Sequence, residues 1–315
     1  MKKKNILSIM LLIMSVFCID ECVASEVTDG GFQDTYNPDI PLVVSLAGEK
    51  VNLDRIDMYE RIDRELTNIV YGHSSTMLIL KRANRYFPII APILKKNGVP
   101  EDFMYLAVIE SSLNVRAYSR ANAAGLWQFL AATAKQYGLE VNEEVDERYD
   151  PEKSTEAACR YLLAGFKKYK HWATVAASYN AGMGRISGEL AKQLADNSYD
   201  LYLNEETSRY VFRMIAMKMV MENPHDYGFY LTAKQLYQPI RYTEEIVDGA
   251  VPNWSEWAKK KGISYAQLRD MNPWIRSQAL TNKAKRIYKV KVPIIDDLYR
   301  SKHKIKVFNP KWVRK

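Results

Sequence analysis

Apolar and polar positions follow a helical period through most of the middle of the chain. Apolar residues recur three and four positions apart at Ile56, Tyr59, Ile62 and Leu66, which predicts a first helix. Almost no alternating pattern typical of strands interrupts the segments that follow. We therefore predict one all-α domain over residues 75–222. Its helices are expected over residues 76–96, 100–113, 123–137, 152–169, 172–181, 185–195 and 205–221.

Polar and glycine-containing segments indicate how this helical part begins. Residues 26–50 are rich in Gly, Asp, Asn and Pro, which predicts an extended arm. The arm and the first helix together occupy residues 26–74. Ser74-Ser75 is suited to cap the second helix, and Asn97-Gly98 is suited to end it.

A different pattern begins at Asn223-Pro224, which breaks the helical period. Residues 223–238 are interpreted as a connector and residues 294–315 as a basic tail. Between them, residues 239–293 form a βααβ unit, which is a small α+β module. Its strands are expected over 239–246 and 286–292, and its helices over 254–260 and 264–271. The predicted fold class is mainly α, with this small C-terminal α+β module.

The first 25 residues have the order of an export signal. Lys2-Lys3-Lys4 precedes an apolar run from Ile6 to Ile19, and the small residues Ala24-Ser25 follow. We predict that residues 1–25 are a signal peptide. The run is short for a bilayer span, and no later stretch suits one. The mature protein is therefore expected outside the cytoplasm, in the periplasm or cell envelope.

Two cysteines near the predicted cleavage point keep a lipid anchor open as an alternative. Cys18 follows Phe17 and Cys22 follows Glu21, whereas a lipoprotein signal requires small residues before its cysteine. Two modes of membrane association therefore stay open, a lipid anchor and peripheral binding, and the membrane concerned includes the outer membrane. After residue 25 only Cys159 remains, which excludes an internal disulfide and predicts a small buried helix residue.

The net charge of the chain is +8, and much of the excess of Lys and Arg lies near the C-terminus. For an exported protein, cell-wall polymers and membrane surfaces are the expected acidic partners rather than nucleic acid. A solvated basic tail is the alternative interpretation. No metal or cofactor is predicted, because the four histidines lack the spacing of metal ligands. They are His73, His171, His225 and His303.

Glu110 is the candidate general acid. Ala107, Leu106 and Phe103 precede it by three, four and seven positions, so its face of the helix is apolar. Desolvation there raises the pKa of a carboxyl group and keeps a proton available near neutral pH. A solvated surface glutamate is the alternative interpretation of this residue alone.

Three separated sequence blocks resemble a known family. They are Glu110-Ser111-Ser112 with Asn114, Ala117 and Ser119; Ala124-Gly125-Leu126-Trp127-Gln128-Phe129; and Ser178-Tyr179-Asn180-Ala181-Gly182, followed by Glu206 and Tyr210. Their order resembles the catalytic domain of soluble-type lytic murein transglycosylases, which are goose-lysozyme-like glycosidases. The resemblance extends over residues 75–222. It implies a lysozyme-like helical domain that acts on the glycan strands of peptidoglycan without a cofactor.

The family is known for lacking a nucleophilic carboxylate. The next acids after Glu110 follow the block only at Glu140 and the cluster 143–147. The resemblance therefore implies that the substrate's own N-acetyl group or 6-hydroxyl closes onto C1, with Glu110 as acid and then base. Cleavage of the β-1,4 bond between N-acetylmuramic acid and N-acetylglucosamine would leave a 1,6-anhydro-N-acetylmuramyl end. Two alternatives stay open: a muramidase that hydrolyses the same bond, and a non-catalytic peptidoglycan-binding protein.

The resemblance also assigns substrate-binding roles to seven residues. Ser119 would hydrogen-bond Glu110 or the acetamido region, and Gly125 would let the backbone pass close to a sugar. The other five would contact sugar groups or line the cleft: Gln128, Tyr179, Asn180, Glu206 and Tyr210. Core packing or turn formation is the alternative interpretation of each.

The C-terminal module resembles a divergent LysM repeat, the βααβ unit that binds peptidoglycan. The resemblance rests on Ser264–Leu268, on Met271-Asn272-Pro273 and on the final strand Tyr288–Pro293. The Gly-Asp-Thr of the family is absent near the start, where Gly249–Asn253 stands instead. Because that segment often carries sugar contacts, glycan binding by the module stays an open question at the level of sequence.

Overall fold

Helices dominate the structure, a computed structural model that describes residues 37–314. The predicted signal peptide, Cys18 and Cys22 lie outside the described residues. Within them, no helix combines the length and apolar character needed to cross a bilayer. The mainly α fold class is confirmed. The elements are β1 (Val43–Leu46), β2 (Glu49–Asn52), α1 (Ile56–Tyr71), α2 (His73–Lys96), α3 (Met104–Ser111), α4 (Ala131–Gln136), α5 (Pro151–Tyr169), α6 (Trp172–Ala181), α7 (Met183–Gln193), α8 (Glu205–Glu222), β3 (Tyr242–Val247), α9 (Trp254–Lys260), α10 (Tyr265–Met271) and β4 (Tyr288–Pro293).

The segment expected to be an extended arm is a β-hairpin where the structure describes it. β1 and β2 pair antiparallel, and the turn residues Ala47 and Gly48 have φ values of 55° and 82°. Two successive left-handed residues are what a two-residue hairpin turn requires. Leu46 and Val51 are buried, so the hairpin contributes to the helical core. Strands of four residues are too short for alternation to reveal them in the sequence.

The buried face of α1 differs from the predicted one. Ile56 and Tyr59 are 77% and 43% exposed, whereas Met58, Ile62 and Leu66 are buried. The helix begins only at Ile56, and in its first turn Met58 is the residue that faces the core. Its buried face also contains a charged residue, Glu65, which is 1% exposed.

The start of α2 also departs from expectation, whereas its end does not. Gly72 precedes the helix, and Ser75 lies inside its first turn, where its hydroxyl donates to the Gly72 carbonyl at 2.7 Å. The predicted serine cap is therefore wrong. Asn97 ends the helix as predicted, and Gly98 adopts a φ of 74°, the left-handed conformation favoured after a helix.

A loop replaces much of the helix predicted over residues 123–137. α4 covers only its last part, and α3 stops at Ser111 because Ser112 and Leu113 have φ values of 52° and 55°. Ala124 forms isolated β-bridges with Tyr118 and with Phe129. Apolar side chains of this loop, residues 112–130, enter the core without a helical period. The loop leads directly away from the helix that carries Glu110.

The C-terminal module has the predicted βααβ order. β3 and β4 pair antiparallel from Tyr242↔Pro293 to Val247↔Tyr288. Ser264 caps α10 by accepting from the Gln267 amide, while the Gln267 side chain accepts from the Ser264 amide. The module has a separate apolar core that includes Trp254, Leu268 and Val290.

Acidic residues of the helical domain hold this module in place. The Glu140 carboxylate forms an ion pair with Arg286 at 3.1 Å and accepts a hydrogen bond from the Tyr288 hydroxyl at 3.0 Å. Glu152 pairs with Lys291, and Val145 forms a β-bridge with Ile275 of the module. Two carboxylates that follow Glu110 in sequence, those of Glu140 and Glu152, therefore serve in docking.

The C-terminal segment is not the solvated tail that its charge suggested. Trp312 is 1% exposed, and its indole N–H donates to the Met221 carbonyl at 2.6 Å. The ring lies 5.9 Å from that of Phe87 on α2. The segment thus crosses back onto the helical domain and buries Trp312 there, while its lysines remain exposed.

Lys291 is expected to dominate the docking energetics. It is 9% exposed, bonds Glu152 at 2.5 Å and lowers the pKa of buried Asp150, which burial raises to about 6. Lys291→Met leaves both carboxylates without this cation and should lower the free energy of unfolding by about 3 kcal/mol. Lys289→Met, at the exposed position two residues earlier in the same strand, should lower it much less, because water screens the pair that Lys289 forms with Glu244. Urea unfolding of both variants checks this; equal losses would contradict it.

Candidate active site

Glu110 lies in the last turn of α3, on the apolar face that the sequence predicted. Leu106 and Ala107 beside it are fully buried, while Glu110 itself keeps partial access to solvent. Burial raises the pKa of Glu110 to about 7. At neutral pH, a carboxyl group with this pKa is protonated in a large fraction of the molecules, so it can donate a proton.

Tyr210 on α8 is the direct partner of that carboxyl group. Its hydroxyl donates to Glu110 Oε1, which lowers the pKa of Glu110 and partly offsets the effect of burial. Burial and the charge of Glu110 together hold the pKa of Tyr210 well above its usual value. The phenol therefore stays protonated and serves as a fixed donor.

Two charged residues on the same helix act on Glu110 from a longer range. Glu206, one turn before Tyr210, raises the pKa of Glu110, and Arg213 lowers it. Glu206 is exposed in the first turn of α8. One helix thus supplies the hydrogen-bond donor and both neighbouring charges.

Tyr179 on α6 lies close enough to Glu110 for that charge to contribute to its raised pKa, although burial is the larger cause. Its hydroxyl donates to the Trp127 carbonyl at 2.8 Å, which ties the helix to the loop 112–130. Its ring meets that of Tyr161 edge-on at 5.0 Å. The ring is therefore fixed on two sides.

The predicted loop residues have internal partners. A Cβ on Gly125 would lie 1.8 Å from the Arg148 carbonyl oxygen, so the close approach is to the protein's own backbone. Gln128 donates to the Gly125 carbonyl at 2.8 Å, and Ser119 accepts from the Ala123 amide at 3.1 Å. Among the described residues, Ser119 makes no hydrogen bond with Glu110. Sugar contacts by these three residues stay predictions.

Asn180 connects two helices of the site. Its Oδ1 accepts from the Thr207 hydroxyl at 2.9 Å, which joins the end of α6 to the first turns of α8. The structure thus brings Tyr179, Glu206 and Tyr210 into electrostatic or direct contact with Glu110. Asn180 supports the helices that carry them.

Sequence reasoning missed Glu65. This buried carboxylate of α1 receives Arg209 at 2.6 Å and Arg213 at 3.4 Å, the residues on either side of Tyr210 along α8. A glutamate between Ile62 and Leu66 on an apolar face was the available signal, but it lay before the segment assigned to the site.

The acids that follow Glu110 in sequence are engaged elsewhere. Asp146 pairs with Arg148 at 2.7 Å, both buried, and Glu147 pairs with Lys153 at 2.5 Å. Within residues 37–314, no group of His, Cys, Asp and Glu is arranged to hold a metal ion. The carboxylate whose charge reaches Glu110 is that of Glu206.

Two family models match the chain. A transglycosylase SLT domain matches residues 87–201, and a soluble lytic transglycosylase C-terminal LysM-like domain matches residues 243–295. They confirm the two resemblances seen in the sequence. Glu206 and Tyr210 lie beyond the first matched range.

Curated relatives match over longer stretches. Membrane-bound lytic murein transglycosylase D of Escherichia coli K12 is 29% identical over 226 residues, which cover 70% of this chain and 48% of the relative. A putative tributyltin chloride resistance protein of Alteromonas sp. is 31% identical over 118 residues, 37% of this chain and 57% of that protein. The chain spans about half the length of the curated relatives it matches.

Among solved structures, the 70 kDa soluble lytic transglycosylase of Escherichia coli aligns with a TM-score of 0.38 at 21% identity. The alignment covers 44% of this chain and 24% of that chain. A complex of a 70 kDa soluble lytic transglycosylase with bulgecin A aligns with a TM-score of 0.40 at 20% identity, over 51% of this chain and 28% of that chain.

The environment of Glu110 is expected to cost stability above neutral pH. The pKa of Glu110 rises from 4.5 to about 7 on folding. The stability that its protonation contributes is therefore fully present below pH 4.5 and is lost as the pH rises through 7. Relative to the parent, Glu110→Gln should therefore gain about 2 kcal/mol of unfolding free energy between pH 5 and pH 8. Glu143→Gln, the same substitution at an exposed position, serves as the control. Urea unfolding at both pH values checks this; parallel pH dependences in parent and Glu110→Gln would contradict it.

Proposed function

We propose that this chain, which carries an SLT transglycosylase domain and a LysM-like module, is a peptidoglycan lytic transglycosylase. The observation that carries the proposal is the carboxyl group of Glu110, which accepts a hydrogen bond from Tyr210 and whose pKa burial raises to about 7. Residues 75–222 are the proposed catalytic domain. The bond cleaved is the β-1,4 link between N-acetylmuramic acid and N-acetylglucosamine.

In the proposed reaction, the protonated Glu110 donates its proton to the glycosidic oxygen as the bond from C1 breaks. The 6-hydroxyl oxygen of the same muramic acid then bonds to C1. Its proton returns to the Glu110 carboxylate, so the enzyme is regenerated. The product ends in a 1,6-anhydro ring, and no water is consumed.

Tyr210 and Tyr179 have separate parts in this proposal. Tyr210 holds the Glu110 carboxyl group through a donated hydrogen bond, which also stabilises the carboxylate once its proton has left. Tyr179 lies within electrostatic reach of the same charge and would orient the acetamido group or the cationic transition state. Ser119, Gly125, Gln128, Asn180 and Glu206 are proposed to contact sugar or shape the cleft.

Hydrolysis of the same bond is a second candidate, which the position of Glu206 favours. Its charge acts on Glu110, so one more carboxylate is within electrostatic reach of the reaction. A muramidase would use such a group to activate water. Glu206→Gln should preserve the anhydro product under transglycosylation and abolish turnover under hydrolysis.

The cell envelope is the proposed location, because its peptidoglycan is the proposed substrate. Curated relatives of this chain are named membrane-bound lytic murein transglycosylases, of types D and C. Association with a membrane surface is proposed for this chain on that likeness and on its basic C-terminal segment. The LysM-like module is proposed to hold glycan beside the catalytic domain.

Incubation of the purified chain with peptidoglycan sacculi tests the proposal directly. Mass spectrometry should find anhydro-muropeptides with the parent and a loss of at least about a thousandfold with Glu110→Gln, as expected when the sole general acid is removed. Glu143→Gln should release them as the parent does, since Glu143 is exposed and lies outside the site. Reducing-end products would instead establish the muramidase, and no release by the parent would contradict both candidates.

A further inference from the structure

A groove of about 930 Å³ runs along the seam between the helical domain and the LysM-like module. The helical domain lines it with Arg116, Tyr118, Arg148 and Tyr149, and α10 and the residues after it line the other side. The docking contacts described above fix the two sides relative to each other. The groove is therefore a preformed feature of the folded chain.

The charges of the groove do not balance. Four of its residues are arginines and two are aspartates. Arg116 pairs with Asp270 across the seam, and Arg148 pairs with Asp146. Within the described residues, the other two arginines, Arg269 and Arg276, have no carboxylate partner. The groove therefore has an excess of two positive charges.

Both unpaired guanidinium groups are already oriented. Arg276 lies over the ring of Tyr149, 4.3 Å from its centre, and Arg269 donates to the Tyr265 hydroxyl at 2.6 Å. The Nε of Arg269 is buried and has no acceptor. Arg276 also donates from Nη1 to the Pro273 carbonyl at 3.4 Å, and its other N–H groups have no acceptor among the described residues. Such groups can bind a carboxylate in a charge-assisted, planar manner.

The same loop forms a wall of the groove and part of the proposed catalytic cleft. Tyr118 of the groove forms a β-bridge with Ala124, and the Gly125 amide donates to the Ala117 carbonyl at 2.9 Å. Gln128 then donates back to the Gly125 carbonyl. A glycan strand bound along this loop would carry its side peptides toward the groove.

We propose that this seam groove binds the free carboxylates of the peptides attached to the glycan strand. Arg269 and Arg276 would each receive a carboxylate, and the tyrosines would pack against the peptide. The inference rests on the proposed function, because that function supplies the peptide-bearing strand. It predicts that the chain discriminates peptide-bearing from peptide-free glycan through the module, away from Glu110.

The test measures binding without cleavage. Full-length Glu110→Gln protein is titrated calorimetrically with short glycan strands that carry their peptides and with the same strands after the peptides have been removed by an amidase. The peptide-bearing strands should bind at least about tenfold more tightly, as two charge-assisted contacts allow. Adding Arg269→Gln and Arg276→Gln should bring this ratio close to one.

A matched variant controls for net charge. Lys259→Gln with Lys260→Gln removes the same charge from exposed positions on α9, and it should preserve the ratio. Arg276→Gln alone, at an exposed side chain, should lower the ratio partway and guards against misfolding of the double variant. Circular dichroism checks that each variant is folded.

Three results would overturn the inference: a ratio near one in the Glu110→Gln parent, a ratio that survives the arginine substitutions, or an equal loss in the lysine control. Its failure is distinct from that of the proposed function. Release of anhydro-muropeptides by the active chain, together with an affinity ratio near one, would contradict peptide binding by the groove but not the proposed function. An affinity ratio that depends on the arginines, with no release of muropeptides from sacculi, would support peptide binding by the groove and contradict the proposed enzymatic function.

Discussion

The hydrogen bond from Tyr210 to Glu110 is the contact on which the site depends, because it joins a desolvated carboxyl group to the one helix that tunes it. Burial alone would raise the pKa of Glu110 further, and Tyr210 limits that rise. The position of α8 is in turn fixed by Glu65 of α1, which binds Arg209 and Arg213 on both sides of Tyr210. A buried ion cluster between α1 and α8 therefore supports the geometry of the proposed acid.

The second organising feature is the use of acidic residues between the two domains. Glu140 and Glu152 bind cations of the LysM-like module, so these two carboxylates stabilise a domain interface. Glu206 is the carboxylate whose charge raises the pKa of Glu110. The docking also aligns a basic groove with the loop that leaves α3. Substrate selection and bond cleavage are thereby proposed to occur on one rigid surface, with separate residues for each.

Much of the helical frame could be predicted because amphipathic period and capping act locally. α6 has the predicted bounds, and α5 and α8 differ from them by one residue at one end. The loop 112–130 could not be predicted, since Ser112, Leu113 and Gln128 adopt left-handed φ values that tertiary packing imposes on non-glycine residues. Glu110 was visible as an acid on an apolar face. Its partners Tyr210 and Tyr179 were reached through family resemblance, because no local pattern records a contact between helices 100 residues apart.

The protonation of Glu110 is the central claim, and its direct measure is a titration of the side-chain carboxyl carbon by NMR. Protein labelled at glutamate carboxyl carbons is compared with Glu110→Gln to assign the resonance. The account predicts a midpoint near pH 7 in the parent, and a lower midpoint in Glu206→Gln, since removal of that negative charge stabilises the Glu110 carboxylate. A midpoint near the ordinary 4.5 in the parent would contradict the account, because Glu110 would then hold no proton to donate at neutral pH.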